Sequence, residues 1–439
     1  MEWWLVLIIM FGGLLLLLAI RTPVAFALGI MGAIGTFFWW GAGGWSALSI
    51  WAVTAFRSTG DFILGPIPLF ILMAEIIVVT GISSRAFMAL ERLAGRTRGS
   101  LAYSTVGLTA IFGAVTGFSP ASCAAIGPIA IPEMLKRGYD KKLAVGVVGG
   151  GAALAILIPP SILMVVYGGL ADVSIGKLFM AGIIPGLVST LLFLGWIGFK
   201  GIVDPASVPL GAKAAPLKDR LIGLAHLLPL GFIIFMVLGT IYFGITTPSE
   251  SAAIGALSAL VLAAAYRVLT WSTIHGVLLR TIQINAMLFA ILFCAKFFTQ
   301  VLAYLEVPAI LAGIITALPV AGWLIIVAIM ALVIVMGAFM DPASILAVTV
   351  PIFVPVITAL GFDPVWFGIL FMINCELATL TPPVGLNLFV LMGIVPKEIT
   401  ITDIFKGCFP FLMLHALTMV IVGIVPQLAL WLPTIMRGG

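Results

Sequence analysis

The proline pair at Pro382 and Pro383 restricts this chain more than any other feature. It lies in Asn374 to Phe389, NCELATLTPPVGLNLF, inside an otherwise apolar segment. Neither proline has an amide hydrogen, and each leaves a carbonyl one turn earlier without its helical partner. A helix broken at membrane depth is tolerated where the freed backbone groups line a cavity or are buried in protein. Carbonyls freed this way, with Thr379 and Thr381 beside them, are hard oxygen donors suited to a small cation. A twin break, Leu157-Ile158-Pro159-Pro160-Ser161, occurs in the first half. Together the two breaks read as halves of one transport site.

The surroundings of the breaks fix the class. Hydrophobic residues make up 63% of the 439 residues and charged ones 8%, against about 25% charged in a soluble domain. The chain is therefore read as a polytopic membrane protein, and a soluble enzyme is excluded. About ten to twelve segments approach the ~20 apolar residues that span a bilayer. Trp4 to Ile20 reads as a full-length span with no cleavage site after it. The net charge of +5 is no nucleic-acid signal, because the basic residues lie beside spans, where they set orientation. Cys123, Cys294, Cys375 and Cys408 show no CxxC spacing, so neither a disulfide framework nor a zinc site is supported. His226, His275 and His415 read as isolated.

Two long segments are broken in the middle. Residues 101–134 are interrupted at Thr116-Gly117-Phe118-Ser119-Pro120 and flanked by basic clusters, Arg85 to Arg98 and Lys136 to Lys142. If basic loops stay in the cytoplasm, the segment enters and leaves on one side, as a re-entrant hairpin with its tip at residues 116–122. Residues 323–357 are interrupted at Gly337-Ala338-Phe339-Met340-Asp341-Pro342, within a stretch from Phe297 to Pro396 that has no Lys or Arg. That second hairpin would open from the opposite side. Residues 45–58 read as interfacial, residues 85–98 as a basic loop, residues 270–283 as a connecting helix, and residues 284–305 as a separate span. Lys200 to Arg220 reads as a polar linker.

The halves align in register. Pro382 and Pro159 are 223 positions apart, and the same offset relates Pro351 to Pro128, Pro355 to Pro132, and Gly361-Phe362-Asp363 to Gly138-Tyr139-Asp140. With one half rimmed by basic residues and the other without them, the expected fold is an all-α polytopic protein built as an inverted repeat with two hairpins and two broken helices. Repeat one covers residues 1–199, with scaffold helices at 1–60. Repeat two covers 221–439, with scaffold and connecting helix at 221–285. Such repeats place substrate and coupling ions at their interface near mid-membrane. There is no GxxxxGK[ST], so ATP-driven transport within this chain is not expected. No GxSxG-type partner accompanies the histidines, so an intramembrane enzyme is disfavoured.

Four stretches carry a family resemblance: Thr116-GFSPASCAAIG-Pro128, Ile158-PPSILMVVYG-Gly169, Thr247-PSESAAIG-Ala256 and Asn374-CELATLTPPVGLNLFV-Leu391. The chain resembles the large membrane subunit of tripartite ATP-independent periplasmic (TRAP) transporters, of the dicarboxylate-permease type. The resemblance implies a sodium-coupled, elevator-type importer of an organic acid anion in a bacterial inner membrane. It implies two partners, a small four-helix membrane subunit and a soluble periplasmic substrate-binding protein. The other transport reading is a stand-alone ion-coupled carboxylate symporter. Membrane lipid is the expected contact of the basic clusters.

Asp341 is the sharpest single candidate, because an acid at membrane depth costs about 2.5–3.5 kcal/mol on insertion scales. Its competing role is helix capping, Asp before Pro. Glu376 competes between substrate contact, capping and pairing with Lys296, and Glu75 with Lys296 reads as a structural ion pair. Thr116, Ser119, Ser161 and Asn387 complete the expected substrate contacts. Na+ contacts are expected from Gly117, Ser119, Ser122, Gly151 and Pro159 in the first half. In the second half they are expected from Gly337, Asp341, Thr379, Thr381 and Pro382. Glycines and prolines would contribute carbonyls and geometry, and each tip would form one sodium site with the break of its own repeat.

Overall fold

Apolar runs with few charges satisfy their backbone groups internally as helices. The computed structural model is helical throughout its long elements, and among the described residues the only bridge is Arg98 with Leu210. Described are residues 3–20, 22–40, 44, 49–60, 62–211, 216–383 and 385–436. Arg21, Trp45 and Lys213 lie outside them. In chain order the helices are α1 (Trp3–Ala19), α2 (Val24–Trp39), α3 (Ser49–Thr59), α4 (Pro66–Val79), α5 (Ile82–Ala94), α6 (Ser100–Thr116), α7 (Ser119–Lys136), α8 (Lys141–Ala153), α9 (Ile162–Ala171) and α10 (Ile175–Val203). Then follow α11 (Leu217–Ile234), α12 (Thr240–Tyr242), α13 (Pro248–Ala265), α14 (Trp271–Tyr304), α15 (Val307–Ala317), α16 (Gly322–Gly337), α17 (Pro342–Ala359), α18 (Pro364–Leu380), α19 (Leu386–Ile394), α20 (Ile401–Ile424) and α21 (Gln427–Ile435).

Both broken segments fold as helical hairpins. Helices α6 and α7 meet at Gly117-Phe118, and α16 and α17 meet across residues 338–341. Pro120 and Pro342 fall in the first turn of the returning helix, where a missing amide hydrogen costs nothing. Both Pro-Pro pairs interrupt helices as well. After α8, a short 3-10 turn (Leu154–Ile156) leads into Pro159-Pro160, and α18 stops at Leu380 before Pro382-Pro383. Both pairs contain a cis peptide bond.

Three expectations change. Residues 82–94 form an amphipathic helix rather than a loop. It buries Ile82, Ala86, Phe87 and Ala89 while Arg85 and Arg92 stay exposed, and the Arg85 guanidinium lies 4.4 Å above the Tyr266 ring. Residues 271–304 form one helix of 34 residues, because no proline interrupts the expected boundary. Helices α10 and α11 also extend into the polar linker, leaving residues 204–216 between them. Seven described helices are long and apolar enough to cross a membrane, fewer than the segment count suggested. Among the described hairpin arms and broken halves, α17 (Pro342–Ala359) qualifies and the others are too short or too polar.

The chain is a multi-pass membrane protein with two packed zones. In one, α14 packs on α2, α3 and α4, and α4 packs on α13. There Glu75, 8% exposed, pairs with Arg280 on α14 at 2.9 Å, not with Lys296. In the other, α8 sits among α6, α7 and α20, α9 lies on α17, and α16 lies on α18. Helix α16 shows how a membrane helix divides its faces. Ile326, Ile329, Met330, Val333 and Gly337 recur at helical spacing and are buried, whereas Trp323, Val327 and Val335 are exposed. Apolar residues on both faces suit a helix with protein on one side and lipid on the other.

Candidate functional site

The first tip rests directly on the first break. The Ile162 amide donates to the Gly117 carbonyl at 3.2 Å, joining the tip to the start of α9. Gly117 has φ of +59°, and a β-carbon there would lie 2.6 Å from the Pro160 carbonyl oxygen. Only glycine meets both conditions. Around this contact the Thr116, Ser122 and Ser161 hydroxyls are buried and have no protein hydrogen-bond partner. Buried hydroxyls normally find one, so three orphans at one tip and one break form an oxygen-rich spot suited to a ligand.

Asn387 joins the two halves. Following the second break, on α19, its amide nitrogen donates to the Ser119 hydroxyl at 2.7 Å and to the Gly149 carbonyl at 3.2 Å. Ser119 opens α7 at the first tip, and Gly149 lies on α8 ahead of the first break. Three of the residues singled out from sequence at the first tip and break are thus orphan hydroxyls, and two more are bonded to each other across 268 positions.

The second tip is built differently. The Asp341 carboxylate accepts from the Ser344 amide at 3.1 Å and from the Ser344 hydroxyl. It therefore caps α17 and is half-buried, and its other lone pairs stay available to a cation. Gly337 lies against α18, where a β-carbon would sit 2.6 Å from the Ala378 β-carbon. The Thr379 and Thr381 hydroxyls donate back to the Glu376 and Leu377 carbonyls at 2.8 and 2.7 Å, leaving their oxygens as acceptors only. Pro382 and Pro383 are exposed, whereas Pro159 and Pro160 are buried. The two breaks share a sequence pattern but not an environment.

Two sequence candidates have packing duties. Gly151 lets α8 approach α6, because a β-carbon there would lie 2.3 Å from the Thr109 hydroxyl oxygen. Glu376 is fully buried and its partner is His415, not Lys296: Nδ1 lies 2.8 Å from Oε2, close but not aligned as a regular hydrogen bond. His415, isolated by its sequence neighbours, is therefore paired in the fold. A histidine and an acid, each alone in an apolar helix, were the only signal available. A cavity of about 530 Å³ lies apart from this chemistry, lined by Trp323, Met330, Trp366 and Met419 between α16, α18 and α20. Its apolar walls offer nothing to an anion.

Known proteins extend these observations. The sequence pattern of the family described as "Tripartite ATP-independent periplasmic transporter, DctM component" matches residues 11–428. The C4-dicarboxylate TRAP transporter large permease protein DctM of Pseudomonas aeruginosa is 35% identical over 387 residues, covering 87% of this chain and 88% of that one. The ectoine TRAP transporter large permease protein TeaC of Halomonas elongata is 33% identical, covering 95% and 96%. Among solved structures, the Alcanivorax borkumensis YdaH transporter superposes with a TM-score of 0.62 at 18% identity, covering 94% of this chain and 98% of that one. Neisseria gonorrhoeae MtrF gives 0.61 at 16%, covering 93% of each. At these identities the structural likeness speaks to fold alone.

Proposed function

We propose a function that starts from family membership: the chain belongs to the DctM component family of tripartite ATP-independent periplasmic transporters and is a transporter permease, and in this reading it imports an organic acid anion coupled to sodium. Relatives named for C4-dicarboxylates, ectoine and isethionate support a small polar substrate carrying a carboxylate or sulfonate. The observation that carries the reading is the cluster of buried, partnerless hydroxyls of Thr116, Ser122 and Ser161 where the first tip meets the first break. Hydroxyl and carbonyl oxygens are suitable ligands for a small hard cation. Sodium held there would order the tip and offset the charge of an incoming anion. A second sodium would sit between the Gly337–Asp341 tip and the Thr379–Pro382 break, where Asp341 adds a carboxylate.

In this reading the two halves form an inverted repeat. The hairpins and broken helices move as one body against α2, α3, α4, α13 and α14, in the manner of an elevator. The unequal exposure of the two Pro-Pro breaks supports a site open toward one side. A small four-helix membrane subunit and a periplasmic substrate-binding protein complete the importer in the bacterial inner membrane. One relative, the isethionate TRAP transporter permease protein DctMQ of Oleidesulfovibrio alaskensis, is longer, and this chain covers 66% of it.

The test is uptake of an organic acid panel into proteoliposomes, with and without a sodium gradient, the small subunit and candidate binding proteins. Uptake that requires sodium and all three components is expected. Uptake by this chain alone would replace the tripartite reading with a stand-alone symporter. Equal uptake in choline would remove sodium coupling.

A further inference from the structure

The Glu376–His415 pair lies outside the proposed binding chemistry yet connects to it. Both side chains are fully buried. The imidazole packs edge-on against the Phe193 ring of α10, centroids 4.8 Å apart. A carboxylate oxygen and a ring nitrogen 2.8 Å apart repel unless a proton lies between them, so the close approach itself ties the two side chains together. A net charge this deep would cost several kcal/mol. Among the described residues, neither side chain is paired with any other charged group. Cys375 adjoins Glu376 on α18, Cys408 lies about two turns before His415 on α20, Cys123 comes from α7, and Asp341 stands at the second tip, bonded to Ser344. The charges of α8 lie at its first turn, where Lys141 pairs with Asp403, about 18 Å along α20 from His415.

The other ring nitrogen, Nε2, faces the Gly150 carbonyl of α8 at 3.4 Å. The carbonyl one residue earlier, Gly149, accepts from Asn387, which holds Ser119 at the first tip. Here α8 has no side chains with which to fix itself. A β-carbon at Gly150 would lie 2.4 Å from that of Phe411, and one at Gly149 would lie 2.7 Å from the Cys408 sulfur. The polar grip on this backbone comes from His415 at Gly150 and from Asn387 at Gly149.

We infer that Glu376 and His415 are positioning residues. Glu376 orients the His415 ring, and His415 sets the Gly149–Gly150 carbonyls of α8. Through Asn387 those carbonyls hold Ser119 and the first tip in the arrangement that presents the Thr116, Ser122 and Ser161 oxygens. The functional weight of this inference rests on the reading of that tip as part of the binding site.

Hydrogen exchange of the full-length protein in nanodiscs tests it without a ligand. The reporters are the amides of Gly117, Ser122 and Ile162, bonded to Gly113, Phe118 and Gly117. In Glu376→Leu/His415→Leu the buried pair becomes apolar, a change that is often neutral or stabilising for folding. Exchange at the three reporters is expected to rise about tenfold while α10 and α14 keep their protection. Glu376→Gln/His415→Gln retains a donor toward Gly150 and is expected to restore reporter exchange to within about twofold of the parent protein. Unchanged exchange at the tip in the leucine pair would overturn the inference. So would a uniform rise across α10 and α14, which would make the pair a general stability element. Uptake by Ser119→Ala tests the site reading separately. Normal uptake there, with a loosened tip in the leucine pair, would sink the site reading and leave the positioning role standing.

Discussion

Single side chains separate a ligand role from a structural one when the two make opposite predictions. The Ser161 hydroxyl is buried without a partner, and an unsatisfied buried hydroxyl costs about 1–3 kcal/mol. If it serves only the fold, Ser161→Ala relieves that cost and changes nothing else. If it binds sodium, the same substitution leaves the melting temperature equal or higher while sodium affinity falls about tenfold, the equivalent of 1.4 kcal/mol. Thermal melting beside sodium titration of uptake reads both, and an unchanged sodium requirement would make Ser161 a spectator. Asp341 allows a similar separation. Its carboxylate caps α17 through Ser344, and asparagine caps nearly as well as aspartate. Asp341→Asn is therefore expected to insert normally and melt within about 1 kcal/mol of the parent, yet lose uptake because the charge is gone. Normal uptake would reduce Asp341 to its cap.

At the scale of elements, the breaks and hairpins were legible because adjacent prolines, or a proline beside glycine or an acid in mid-segment, free several neighbouring backbone groups at once, whereas the single prolines at Pro128, Pro132, Pro351 and Pro355 stay inside helices. Pro159-Pro160, Pro382-Pro383, Gly117-Phe118 and the residues before Pro342 all end helices where the sequence placed the interruptions. Less legible were features that depend on a neighbour. Residues 82–94 looked like a loop because their charges stood out, but Ile82, Ala86, Phe87 and Ala89 share a buried face. Glu75 found Arg280, and Glu376 found His415, across helices that no local spacing relates. The packing role of Gly151 was hidden for the same reason, and it is directly testable. Gly151→Ala drives a β-carbon to 2.3 Å from the Thr109 hydroxyl oxygen, an overpacking expected to cost about 1–3 kcal/mol. Adding Thr109→Ala removes the colliding oxygen, so the double variant is expected to recover most of the loss as a favourable coupling. Melting temperatures of the four proteins close this cycle. Strict additivity would mean that α8 and α6 do not meet there as described.

For the whole molecule, coupling runs through the first tip. The first tip is held by Ile162 from its own half and by Asn387 from the other, so whatever orders that tip acts on both halves together. A cation bound among Thr116, Ser122 and Ser161 would fix the tip before an anion arrives, and the anion would find part of its ordering cost already met. Linkage then makes a quantitative demand. The factor by which saturating sodium raises the affinity for the transported acid must equal the product of the factors by which that acid raises the affinity for each bound sodium. Couplings of this kind usually lie between about 5-fold and 150-fold. We expect the acid's factor and the product of the sodium factors to agree when the purified protein is titrated calorimetrically, first with the acid at low and saturating sodium, then with sodium at zero and saturating acid. Ser119→Ala, which removes the hydroxyl that Asn387 holds, is expected to shrink both factors together. Sodium and acid that bind independently, each with an unchanged affinity, would mean that the tip is already ordered before either arrives, and the coupling step would have to be sought in the movement between the two packed zones instead.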